Sequence, residues 1–126
     1  MLRGKPQGID KRPKTISWNR NSGASAINLA YHLGAGRVIL LGFDMKPNED
    51  GELNWHRKHI EMGLNKEDAK RGQRIYNRFL VCFDMIERDA QLLGLPIINA
   101  NPDSQISNFR KVPYERLLEN TQAVAQ

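Results

Sequence analysis

Three polar clusters in the 126-residue chain have the composition to do chemistry. His56 and His59 stand three apart beside Trp55 and ahead of Glu61. In a local helix both imidazoles would share a face, which suits general-base work or a metal ion. A metal would need a third ligand, for which Asp44 is a candidate; two solvated loop histidines are the competing reading. The second cluster is Asn21-Ser22-Gly23. An amide, a hydroxyl and a backbone without Cβ at a helix start suit an anion such as phosphate or carboxylate, and they equally suit an ordinary N-cap. The third runs Asn99-Ala100-Asn101-Pro102-Asp103-Ser104, with Asn99, Asn101 and Ser104 as its hydrogen-bonding members. There is no GxGxxG and no GxxxxGK[ST], so neither a dinucleotide fingerprint nor a Walker loop is written here. No metal set is complete and no cofactor is demanded.

The elements that must hold these clusters follow from local patterns. Thr15-Ile16-Ser17-Trp18 is a short β-favouring run. Asn21 or Ser22 then caps a helix to about Leu33, in which Ile27, Ala30 and Tyr31 recur at helical spacing. Gly34 and Gly36 stop it. The apolar run within Arg37–Phe43 suits a strand buried on both faces, the habit of parallel sheets. Asp44 ends that strand, and Met45–Gly72 reads as a long loop punctuated by Pro47, Gly51, Gly63 and Gly72. Ile75, Phe79, Cys82, Ile86 and Leu93 mark the apolar face of a helix from about Gln73 to Leu93, with Cys82 a core residue. Leu95–Asn99 reads as a strand, residues to about Phe109 as a short helical turn, and Pro113 as the start of a last helix through Leu117 and Leu118. The alternation predicts an α/β fold with three layers and a short, mostly parallel sheet of about three strands. Asn21–Gly23, Asp44 and Asn99–Ser104 then all fall at the carboxyl ends of strands, where open parallel sheets bind ligands.

Composition narrows the class. Hydrophobic residues make up 40% and charged residues 26%, ordinary for a globular domain. The longest apolar run, Phe79–Phe83, is far too short to cross a bilayer. One cysteine rules out a disulfide within the chain, and no secretory leader is read, so a reducing cytoplasm is the expected compartment. The formal net charge of +5 is concentrated. Residues 1–20 carry Arg3, Lys5, Lys11, Arg12, Lys14 and Arg20 against Asp10 alone, while the rest balances. With Gly4, Pro6, Gly8 and Pro13 among them, residues 1–14 read as a mobile basic arm, removable without harm to a domain over 15–126. Such an arm either is a solvated leader or attracts polyanions weakly.

The block Asn21-Ser22-Gly23-Ala24-Ser25-Ala26-Ile27-Asn28-Leu29-Ala30, with Leu33-Gly34-Ala35 and Val38-Ile39-Leu40-Leu41-Gly42-Phe43-Asp44-Met45, resembles phage-encoded and bacterial proteins of uncertain function. That group is similar to the Rossmann-like family that includes archaeal hydroxymethylpterin pyrophosphokinase, and more distantly to bacterial lipooligosaccharide sialyltransferases. The likeness continues through Trp55-His56 and His59 and the Asn101–Ser104 turn, covering most of 17–109. It implies a Rossmann-like fold, a nucleotide or phosphate contact at Asn21, Ser22 and Gly23, and a general base at His59, with His56 second. The fuller relatives begin with a strand and a glycine-rich nucleotide loop that do not precede Thr15 here. The resemblance thus implies the C-terminal half of such a domain.

The expected function is a nucleotide- or sugar-phosphate-binding domain of a phage-related, transferase-like protein, incomplete by itself. A non-enzymatic phage assembly or interaction protein is the alternative. The expected partners are a nucleotide or nucleotide sugar, and a second copy or a complementary chain that covers the edges of a short sheet. No membrane is expected.

Overall fold

The computed structural model describes residues 1–46 and 66–124. Strand β1 (Leu2–Arg3) pairs in parallel with β2 (Thr15–Ile16) to form a small sheet of its own. Helix α1 (Ser22–His32) leads to strand β3 (Val38–Leu40). The long helix α2 (Lys66–Leu93) returns to β4 (Ile97–Asn99), and β5 (Arg110–Lys111) precedes helix α3 (Tyr114–Val124). The main sheet is parallel throughout, in the order β3-β4-β5, with Val38 opposite Ile97 and Ile98 opposite Arg110. The fold is therefore mixed α/β with short parallel sheets, and no helix among the described residues is long and apolar enough to cross a membrane.

Both helices that feed this sheet end in the same way. Gly34 and Gly94 take φ of +85° and +65°, the left-handed region open to glycine. The next residues close the ends: Ala35 N–H donates to the Ala30 carbonyl and Leu95 N–H to Ala90, both within 3.0 Å. This Schellman closure turns each helix directly into a strand.

One core joins the elements. Ala24 and Ile27 of α1, Leu40, Cys82, Phe83, Ile86 and Ala90 of α2, Ile97, Ile106 and Phe109 form one buried cluster. Phe83 is its hub, with Phe43 and Phe109 edge-on at 6.4 and 6.1 Å between centroids. Cys82 donates to the Phe79 carbonyl, and burial pushes its thiol up to about 11, so it stays protonated as a packing residue.

Several expectations are corrected. Residues 1–14 are not a free arm. Ile9 is 1% exposed and belongs to the core cluster. The Asp89 carboxylate accepts from Ile9 N–H at 2.8 Å and from the Lys5 ammonium at 2.7 Å. The Asn28 side chain accepts from the N–H groups of Asp10 and Ser17 and donates to the Asp10 carbonyl. Thr15–Ile16 pairs with β1, not with β3, and the third strand of the main sheet is β5. The helical turn expected before Phe109 is absent; turns lead into β5 instead, and Val112 N–H donates to the Asn99 carbonyl at 2.9 Å. Helix α2 starts at Lys66, not near Gln73, and runs through Gly72. A glycine inside a helix costs only about 1 kcal/mol relative to alanine, which a long amphipathic face offsets.

Candidate functional site

The site is built from the loop after β3 and the loop after β4. Gly42 takes φ of +70° and Met45, a non-glycine residue, takes +54°, so the chain reverses sharply on either side of Asp44. Ala100 N–H donates to the Leu40 carbonyl at 2.9 Å, carrying the ladder one residue past the end of β4. Beyond it the loops lock together. Gln105 N–H donates to the Asp44 carbonyl, Ser104 Oγ donates to the Phe43 carbonyl, and Asn101 Nδ2 donates to the Asp44 carboxylate. Asn101 Oδ1 in turn accepts from Asp103 N–H at 2.9 Å, the self-bonding habit of Asn in turns.

Asp44, Asn101 and Ser104 therefore meet as the sequence predicts, and Asn99 sits beneath them. Its Oδ1 accepts from Asn101 N–H at 3.1 Å. The residue is fully buried, yet its Nδ2 has no partner among the described residues. A buried amide donor without an acceptor costs about 1–3 kcal/mol, so this one stands out at the carboxyl end of the central strand.

Asn21–Gly23 joins the cluster through one side chain. Asn21 is the N-cap of α1, and its Oδ1 accepts from Gly23 N–H at 3.0 Å and from Ala24 N–H at 3.4 Å. A Cβ on Gly23 would stand 3.0 Å from the Phe43 ring, the residue whose carbonyl Ser104 holds. The Phe43 ring of the protein itself thus takes up the space that the missing Cβ leaves at Gly23. Asn21 Nδ2 is a second buried donor without a partner among the described residues, while Ser22 is exposed. Two of the first-turn N–H groups already have their acceptor, so the capping half of the expectation for this cluster is met within the chain.

His56 and His59 lie outside the described residues. Among the described residues no three His, Cys, Asp or Glu side chains lie close enough to hold a metal ion.

Three contributors were missed from sequence. Phe43 was placed only as the end of an apolar strand. Lys111 Nζ donates to the Ser104 carbonyl at 2.6 Å, bringing a cation to the loop. Burial and the neighbouring Asp44 carboxylate push the Tyr76 hydroxyl above its ordinary value, which puts Tyr76 of α2 beside the site. Lys111 sits on a two-residue strand without an apolar signal, and Tyr76 sits in a helix where nothing local separates it from its neighbours.

The donors and acceptors are mixed. Asn99 Nδ2 and Asn21 Nδ2 need acceptors, Lys111 adds positive charge, and Asp44 needs donors such as hydroxyls. Comparison with protein families, characterised proteins and solved structures finds no match to this chain.

Proposed function

We propose that the rim formed by Asp44, Asn99, Asn101 and Ser104, flanked by the α1 N-terminus, binds a nucleotide or sugar phosphate in a Rossmann-like domain. The single observation that carries this reading is Asn99: a fully buried amide donor, unpaired among the described residues, at the strand end where parallel sheets take ligands. A phosphate or carbonyl oxygen supplies what Asn99 lacks, and ribose or sugar hydroxyls supply donors to Asp44. The resemblance of Asn21–Ala30 and Val38–Met45 to the phage and bacterial group supports the same ligand class. It also supports a transferase-like reaction in the host cytoplasm in which His59, with His56 second, takes a proton from an acceptor hydroxyl.

Calorimetry with nucleoside mono- and diphosphates, nucleotide sugars and inorganic phosphate tests it. Asn99→Asp keeps the acceptor toward Asn101 N–H and turns the free donor into a repelling oxygen. A ligand whose affinity falls more than tenfold in a folded Asn99→Asp supports the reading. No binding by any of these compounds to the folded wild type overturns it.

The assembly reading has its own observation: Ile39 and Leu41, in and after β3, are 38% and 68% exposed. Apolar side chains at a sheet invite cover by a second copy.

A further inference from the structure

The N-terminal segment makes a concave surface away from the β3–β4 rim. Lys11 and Lys14 on the turn before β2 and Leu29, Tyr31, His32 and Leu33 at the end of α1 line a groove of about 510 Å³, within the range of small-ligand sites. One wall is cationic and the other aromatic and apolar. Both lysines are exposed and have no ion pair among the described residues, unlike Lys5 and Arg12, which pair with Asp89 and Asp10. Among the described residues no acidic side chain lines the groove. The rings of Tyr31 and His32 lie 5.4 Å apart at 59°, and His32 Nε2 donates to the Thr15 carbonyl at 2.7 Å, which fixes the imidazole. The turn is equally fixed, since Leu2 N–H donates to the Lys14 carbonyl at 2.6 Å. The same twenty residues set Arg3 and Arg20 over the Trp18 ring at 4.1 and 5.4 Å, cations against an aromatic face.

We infer that this groove binds single-stranded nucleic acid, with Lys11 and Lys14 on backbone phosphates and the Tyr31–His32 face against an unstacked base. Cations alone would suit any polyanion; fixed rings beside them suit a polymer that carries planar bases between its phosphates. A duplex keeps its bases stacked inside and cannot present them to such a groove. An acidic peptide offers charge but nothing planar at each step.

Fluorescence anisotropy with a labelled 12-nucleotide single strand, titrated over salt with the whole chain, tests the inference. The Lys11→Ala/Lys14→Ala double variant is expected to lose at least tenfold in affinity. Its dependence of log Kd on log salt should flatten by about 1.4, two phosphate contacts at about 0.7 each. Tyr31→Ala is expected to lose roughly tenfold with the salt slope unchanged. Tyr31 also packs on the core, so Tyr31→Leu, which keeps an apolar contact and removes the aromatic face, reads the same loss if the alanine variant unfolds. Absence of binding, equal competition by poly-glutamate or by duplex DNA, or a lysine double variant with wild-type affinity would each overturn the inference.

Discussion

Asp10 shows how much one side chain can hold. It is 4% exposed, and its carboxylate accepts from Arg12 Nη2 at 2.7 Å, from Arg12 Nε and N–H, and from Lys5 N–H. The Arg12 side-chain hydrogen bond, opposed by burial and helped by the backbone donors, holds the carboxyl well below the usual carboxylate range. A carboxyl depressed in the folded state contributes stability that is complete above its unfolded value near about 3.9 and is lost as pH falls below it. Thermal melts followed by circular dichroism should therefore be flat from about pH 8 to 5 and fall below about pH 4. Asp10→Asn should lower Tm at pH 7 by roughly 5 °C and flatten the acid limb. An unchanged acid limb in that variant would assign the loss to other carboxylates. Gly23 carries the complementary prediction. Because a Cβ there meets a Phe43 ring braced on Phe83, Gly23→Val should cost about 1–3 kcal/mol in chemical denaturation and is no silent probe of ligand approach.

At the scale of elements, residues 4–10 act as a strap across α1 and α2. Asn28 ties the strap to α1, Asp89 ties it to α2, and Asn19 holds Gly8 through both its N–H and its carbonyl. Gly8, at φ +88°, lies where any Cβ would strike the Asp89 carboxylate. Asn28→Ala leaves the N–H groups of Asp10 and Ser17 and the Asp10 carbonyl without that partner, for an expected loss of at least about 2 kcal/mol. Ile9→Ala should cost about 2–5 kcal/mol. Removing residues 1–14 should abolish a cooperative thermal transition; a truncated chain that melts like the wild type would show the strap to be dispensable. The sequence hid all of this for a physical reason. The strap buries one isoleucine and is held by side chains far along the chain, so its local pattern of glycine, proline and charge reads as loop. Helix α1 and the strand cores at Val38–Leu40 and Ile97–Asn99 were legible because their signals are local: an Asn cap, a glycine stop and apolar runs. Strand β5 was not, since Arg110 and Lys111 are both exposed and charged and only the ladder to Ile98 and Asn99 makes them a strand. Of the site, the Asp44, Asn99, Asn101 and Ser104 grouping followed from the parallel topology. The role of Phe43 as the link to Gly23 depends on tertiary packing that no spacing records.

For the whole molecule, the decisive asymmetry lies in the main sheet. Burial alternates along its strands: Leu40 and Ile97 are buried in the core they share with the helices and Asn99 is buried, whereas Ile39 is 38% exposed and Ile98 only half-buried. Leu41 just past β3 is 68% exposed. Parallel sheets are ordinarily covered on both faces, because their strands carry apolar side chains on each. A second copy packing here would remove Ile39 and Leu41 from water, which stabilises by roughly 25 cal/mol for each Å² of apolar surface buried. Sedimentation velocity should then show a sedimentation coefficient that rises with concentration. Ile39→Lys or Leu41→Lys should hold the chain monomeric at every concentration. As both side chains already meet solvent, the same variants should shift the stability of the monomer by no more than about 0.5 kcal/mol. A wild type that stays monomeric throughout would show that the exposed face needs no second copy. Variants that unfold would instead show that the β3 side chains belong to the core of the single chain.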